Sequence, residues 1–73
     1  MMKIWKGGKV VGVLTDSALP LKLSDSDLRS RFDDWKRNGV EVKGPNHSVQ
    51  RLRINDAQAT VIHEIESMGY VIL

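Results

Sequence analysis

SDSDLRSRFDDWKRNGVEVK, residues Ser24 to Lys43, is the stretch whose reading decides the fold. Two conformations compete for it. In one, Ser24 opens a helix, with Asp27 three residues on resembling the partner residue of a capping box. Leu28, Phe32 and Trp35 then fall at i, i+4 and i+7 on one apolar stripe. Asp25 and Asp27 sit near the positive end of the helix dipole, and Lys36 and Arg37 near the negative end. Asp27–Arg31 and Arg29–Asp33 add opposite charges one turn apart, and Asn38-Gly39 is a stop signal. In the other conformation, Phe32 to Lys43 is a hairpin about Arg37-Asn38-Gly39, which moves Asp33 and Asp34 onto a strand. That breaks a helix on which stripe, charges and stop signal agree, so the helix is the expected form.

Outward from that helix, Val40 to Lys43 alternates apolar and charged residues, as a strand with one wet face does. Gly44-Pro45-Asn46 is a turn. Val49 to Ile54 reads as another strand, with Leu52 and Ile54 on one face and Arg51 and Arg53 on the other. Asn55, with Gln58 completing the box, is expected to cap a second helix. Its buried face is Ala57, Val61, Ile62, Ile65 and Met68, and Gly69 stops it. Tyr70 to Leu73 lacks polar alternation and reads as a strand covered on both sides. Upstream, Gly7-Gly8 supplies a two-residue hairpin turn. That turn pairs Ile4 with Val11 and Met2 with Val13 on the core face, and Trp5 with Val10 on the other. Asp16 to Leu23 is a connector, with Pro20 arguing against a regular element.

The expected fold is α+β, a single domain over residues 1–73 in the order ββα-ββ-αβ. Its sheet would be mixed, of three to five strands, with both helices packed on one face. Seventy-three residues bury only about 60% of the surface of the unfolded chain. There is no cysteine, so no disulfide or thiolate metal site. Eleven basic and nine acidic residues give a net charge of +2, which permits a polyanionic partner without requiring one. No apolar run approaches the ~20 residues of a membrane span, and no signal peptide is read at the amino terminus. The expected setting is cytoplasmic, without membrane attachment.

One motif carries named chemistry. Glu41 and Lys43 lie two apart on a strand and project from the same face. A carboxylate there can hold Mg²⁺ or Mn²⁺ while the lysine orients an attacking water. An ordinary half-buried strand also reads Val-Glu-Val-Lys, β-branched residues inward and charged ones outward. The stretch Glu41-Val-Lys-Gly-Pro-Asn46, followed by a helix bearing Gln58, resembles the active-site strand of the VRR-NUC family of PD-(D/E)XK nucleases over Val40 to Leu73. The resemblance implies a metal-dependent nuclease with Glu41 as metal ligand, Lys43 as catalytic lysine and Gln58 in support. The family's Pro-Asp motif is missing, and Asp34, beside Asp33, is the nearest stand-in for its metal-binding aspartate.

Other residues suggest binding. His47 and His63 lie far apart in sequence, and no third ligand is fixed near them. Lys3 and Trp5, if they shared a sheet face with Arg51 and Arg53, would make a basic surface for nucleic acid. Trp5, Val10 and Leu14 would make an apolar patch away from the core, suited to a protein partner or to a homodimer. The reading that asks least of the sequence is a non-enzymatic interaction or self-association module without cofactor. Nucleic-acid binding through the basic sheet face comes second and the nuclease third.

Overall fold

The computed structural model describes residues 1–73. The chain runs β1 (Met2–Lys6), β2 (Lys9–Leu14), β3 (Pro20–Leu21), α1 (Ser26–Asn38), β4 (Val40–Lys43), β5 (Val49–Leu52), α2 (Gln58–Ser67) and β6 (Val71–Ile72), with short helical turns at Pro45–His47 and Ile54–Asp56. The α+β class holds. The strands divide into a four-stranded sheet of order β3-β2-β1-β6 and a separate two-stranded sheet of β4 and β5. Every pairing is antiparallel, where a single mixed sheet was expected.

The Ser24–Lys43 stretch is a helix followed by a strand. Leu28, Phe32 and Trp35 are its buried residues, and Phe32 meets Trp35 edge to face at 5.1 Å. Gly39 ends the helix at φ 81°, its N–H donating to the Trp35 carbonyl at 2.9 Å. A Cβ at Gly39 would stand 3.1 Å from the Leu52 carbonyl oxygen, so the turn needs glycine for both its angle and its space. The cap is Asp25, not Ser24. Asp25 Oδ1 accepts from the Leu28 N–H at 3.0 Å. Ser24 is engaged elsewhere, its N–H and Oγ both donating to the Val11 carbonyl at 2.8 and 3.2 Å.

That bond marks a β-bulge. Trp5 pairs with Val10 as expected, but Ile4 then pairs with Gly12 and Met2 with Leu14, leaving Val11 without a partner. Two residues of β2 thus oppose one of β1. The inserted residue lets Val11 and Leu14 both reach the core, and Leu14 is fully buried. The expected pairs Ile4–Val11 and Met2–Val13 do not form, and Leu14 leaves the outer patch in which it was expected. Glycine suits position 12, because a Cβ there would lie 2.7 Å from Leu23 Cδ1.

Two further expectations change. Pro20 does not exclude a strand: it opens β3, an edge strand where its missing N–H costs no pairing. Asn55 does not cap α2. Buried Ile54 and Ala57 draw Ile54–Asp56 into a helical turn, and α2 starts from Ala57 with no side-chain cap.

The thirteen buried apolar side chains form one cluster, drawing on β1, β2, α1, β4 and α2. The partly buried Val42, Leu52, Ile62, Met68 and Ile72 pack against it. Buried Tyr70 closes it by donating its hydroxyl to the cap residue, Asp25 Oδ1, at 2.7 Å, with Lys6 Nζ 4.8 Å from its ring centroid. The helix N–H at Leu28 and the tyrosine hydroxyl hold the Asp25 carboxyl below its usual range. Burial, with the Asp25 bond, pushes Tyr70 up to about 12. No helix is long and apolar enough to cross a membrane.

Candidate functional site

The four-stranded sheet has one face toward the helices and one away from them. Period-two alternation along β1 sends Met2 and Ile4 inward and Lys3 and Trp5 outward. The pairings carry this across the sheet. Leu21, Val13 and Lys3 form one outward row, which Leu73 extends by exchanging two hydrogen bonds with Lys3 at 2.8 and 3.0 Å. Val10, Trp5 and Val71 form a second row.

No helix covers these rows. Val10, Leu21, Val71 and Leu73 are 41, 48, 52 and 76% exposed. Trp5 and Val13 are half-buried. Tyr70 to Leu73 is therefore covered on one face only, correcting the expectation of cover on both. Among the seven outward positions Lys3 carries the one charge. Trp5 adds an unmet donor, since its Nε1 is shielded from solvent without an acceptor. Trp5 and Val10 do pair on the outer face, as their sequence positions indicated. Val13, Leu21 and Val71 were missed, because finding them needs the bulge and the positions of β3 and β6.

The two-stranded sheet is built differently. Val40 is buried and Val42 half-buried, while Glu41 and Lys43 are exposed on its other side. Glu41 stands opposite Arg51, and Lys43 opposite Val49. Glu41, Lys43 and Asp34 line a depression of about 580 Å³ between α1, β4 and α2, together with Arg31, His63 and Glu64. Gln58, exposed at the first turn of α2, does not line it.

Asp34 lies on α1 and accepts from Asn38 Nδ2 at 2.7 Å. Arg31 approaches Glu64 at 3.9 Å on the exposed surface, a contact worth little. No three His, Cys, Asp or Glu side chains converge as a group that could hold a metal ion. His47 belongs to the turn after β4, and His63 is exposed on α2.

The basic residues regroup. Lys3 belongs to one sheet and Arg51 to the other, with Arg53 just past β5, so the shared basic sheet face does not form. Arg51 and Arg53 instead line a second depression, of about 450 Å³, with Lys36 and Arg37 from the last turn of α1. The hairpin brings this about. Val40 pairs with Leu52, so the strand on which Arg51 lies returns to the carboxyl end of α1. Arg51 Nη1 there donates to the Asn38 carbonyl at 3.3 Å. Comparison with protein-family models, with curated proteins and with solved structures gives no match for this chain.

Proposed function

We propose that this chain is a self-association module without catalytic chemistry of its own, pairing with a second copy through the outer face of the four-stranded sheet. The observation that carries the reading is the composition of that face. An antiparallel sheet with one face in water ordinarily alternates apolar inward with polar outward. Here six of the seven outward positions are apolar.

Strands ~4.8 Å apart, rising ~3.4 Å per residue, make the two rows a patch on the order of 300 Å². That lies in the size range where an exposed apolar patch on a small protein is commonly functional. A second copy offers a surface of the same chemistry, and two sheets stack face to face at ~10 Å. Lys3 does not oppose this, since its stem can lie along the face while its ammonium reaches the rim. The patch is well short of the ~800 Å² per partner of a standard stable interface. The dimer is therefore weak and exchanging.

Sedimentation equilibrium over a wide concentration range tests this. The expected result is a monomer–dimer equilibrium with Kd between roughly 10 μM and 1 mM. Val71→Lys is expected to remove it without unfolding the chain. A strictly monomeric protein up to about 1 mM would rule the reading out.

A further inference from the structure

We infer that the depression between the carboxyl end of α1 and β5 is a binding site for the phosphodiester backbone of nucleic acid. Lys36, Arg37, Arg51 and Arg53 line it, with Asn38 and Asn55 between them and no carboxylate among the lining residues. The chain's net charge is only +2, so with these four cations set aside the remainder is net acidic. Four positive charges without a countercharge thus border this one depression, which is the electrostatic footprint of a polyanion site.

The geometry selects among anions. The four cations border an open depression instead of converging on one buried point. Residues at the carboxyl end of α1 line the site, and the negative end of the helix dipole there opposes a compact anion bound deep in it. A ligand with charges repeated along its length satisfies the rim from outside. Three of the four cations are arginines, whose forked donors match phosphate oxygens in pairs. Arg51 is already oriented by its bond to the Asn38 carbonyl. No exposed aromatic ring lines the depression, since Trp35 is buried. With no platform for stacked bases, binding rests on the backbone and is independent of sequence.

The test is fluorescence anisotropy with a labelled duplex DNA of mixed sequence, at low and rising salt. Three or four neutralised phosphates predict a log–log salt slope of about −3, and affinity that changes little when the sequence is scrambled. Arg37→Gln with Arg53→Gln, checked for native circular dichroism, is expected to weaken binding about tenfold and make the slope shallower by about two. Arg51 is left in place because it also caps α1. Lys9→Gln with Lys22→Gln removes equal charge from exposed positions outside the depression and outside the outer sheet face, and is expected to change affinity less than about twofold. Equal loss in both variants would mean that net charge alone attracts DNA and that the depression is not the site. Displacement of DNA by a poly-glutamate peptide of equal charge at equal concentration would instead assign the site to acidic peptides. Absence of binding at low salt would overturn the inference outright.

Discussion

The two sheets obey the same antiparallel geometry and present opposite surfaces. In the β4–β5 pair, Val40 and Val42 turn toward the core while Glu41, Lys43 and Arg51, with Val49 as the one apolar residue beside them, turn to water. In the four-stranded sheet, the positions turned away from the core are Leu21, Val13, Val10, Trp5, Val71 and Leu73, with Lys3 alone among them charged. The chain thus has charged residues enough to make a solvated strand face and makes one in its smaller sheet. The apolar outer face of the larger sheet is not what remains when polar residues run short. It is a property of segments brought together on the two sides of the β1–β2 hairpin, β3 beside β2 and β6 beside β1.

The comparison can be broken at the bulge. If Leu14 and not Val13 faces the core, Leu14→Ala should cost about 2–5 kcal/mol of unfolding free energy. Val13→Ala on the outer face should cost under about 1 kcal/mol. Urea denaturation of the two variants checks this, and equal losses would mean that the register runs without the inserted residue. Next in size is the clasp that joins the sheet to α1. Asp25→Ala removes the cap bond to Leu28 and the Tyr70 bond together, and should cost about 1–2 kcal/mol.

That clasp also fixes the pH dependence. The folded-state pKa of Asp25 lies below 3.8, so its contribution is present above that value and is lost as pH falls through the lowered pKa. Tyr70 is raised from 10.0 to about 12, so the unfolded chain ionises first and stability falls as pH rises across that window. Tyr70→Phe should flatten the alkaline loss, as thermal melts from pH 9 to 12 would record. The smallest effect belongs to the wet strand. Glu41→Ala and Lys43→Ala should each change stability by no more than about 0.5 kcal/mol. A larger loss in the same urea experiment would show that the charged face of β4 has a structural partner.

Part of this was legible from residues alone. The Leu28-Phe32-Trp35 stripe and the Gly39 stop are local signals, and they settled the helix against the competing hairpin. Trp5 opposite Val10 follows from a two-residue Gly-Gly turn. The bulge does not, because its cause is distant: Ser24, beyond the connector, takes the Val11 carbonyl that regular pairing would leave to β1. The same bond explains why Ser24 looked like a cap and is not one. The cationic depression was hidden for another reason. Strand parity grouped Arg51 and Arg53 with Lys3 on an assumed common sheet, and nothing local shows that the strands divide between two. One signal was available. A helix, a glycine, then a strand that folds back on itself must return its second strand to the end of the helix, where Lys36 and Arg37 wait.

The hydrogen bonds between Lys3 and Leu73 also set an order in time. A contact spanning nearly the whole sequence is slow to find, because most of the chain must be held before it forms. The β1–β2 hairpin can close as soon as its own residues are free, but β1 keeps one unpaired edge until β6 arrives. During that interval the strand carrying Trp5 is open along its side as well as across its face. An open edge beside an apolar face is a template for another strand, and β6, short as it is, occupies that edge.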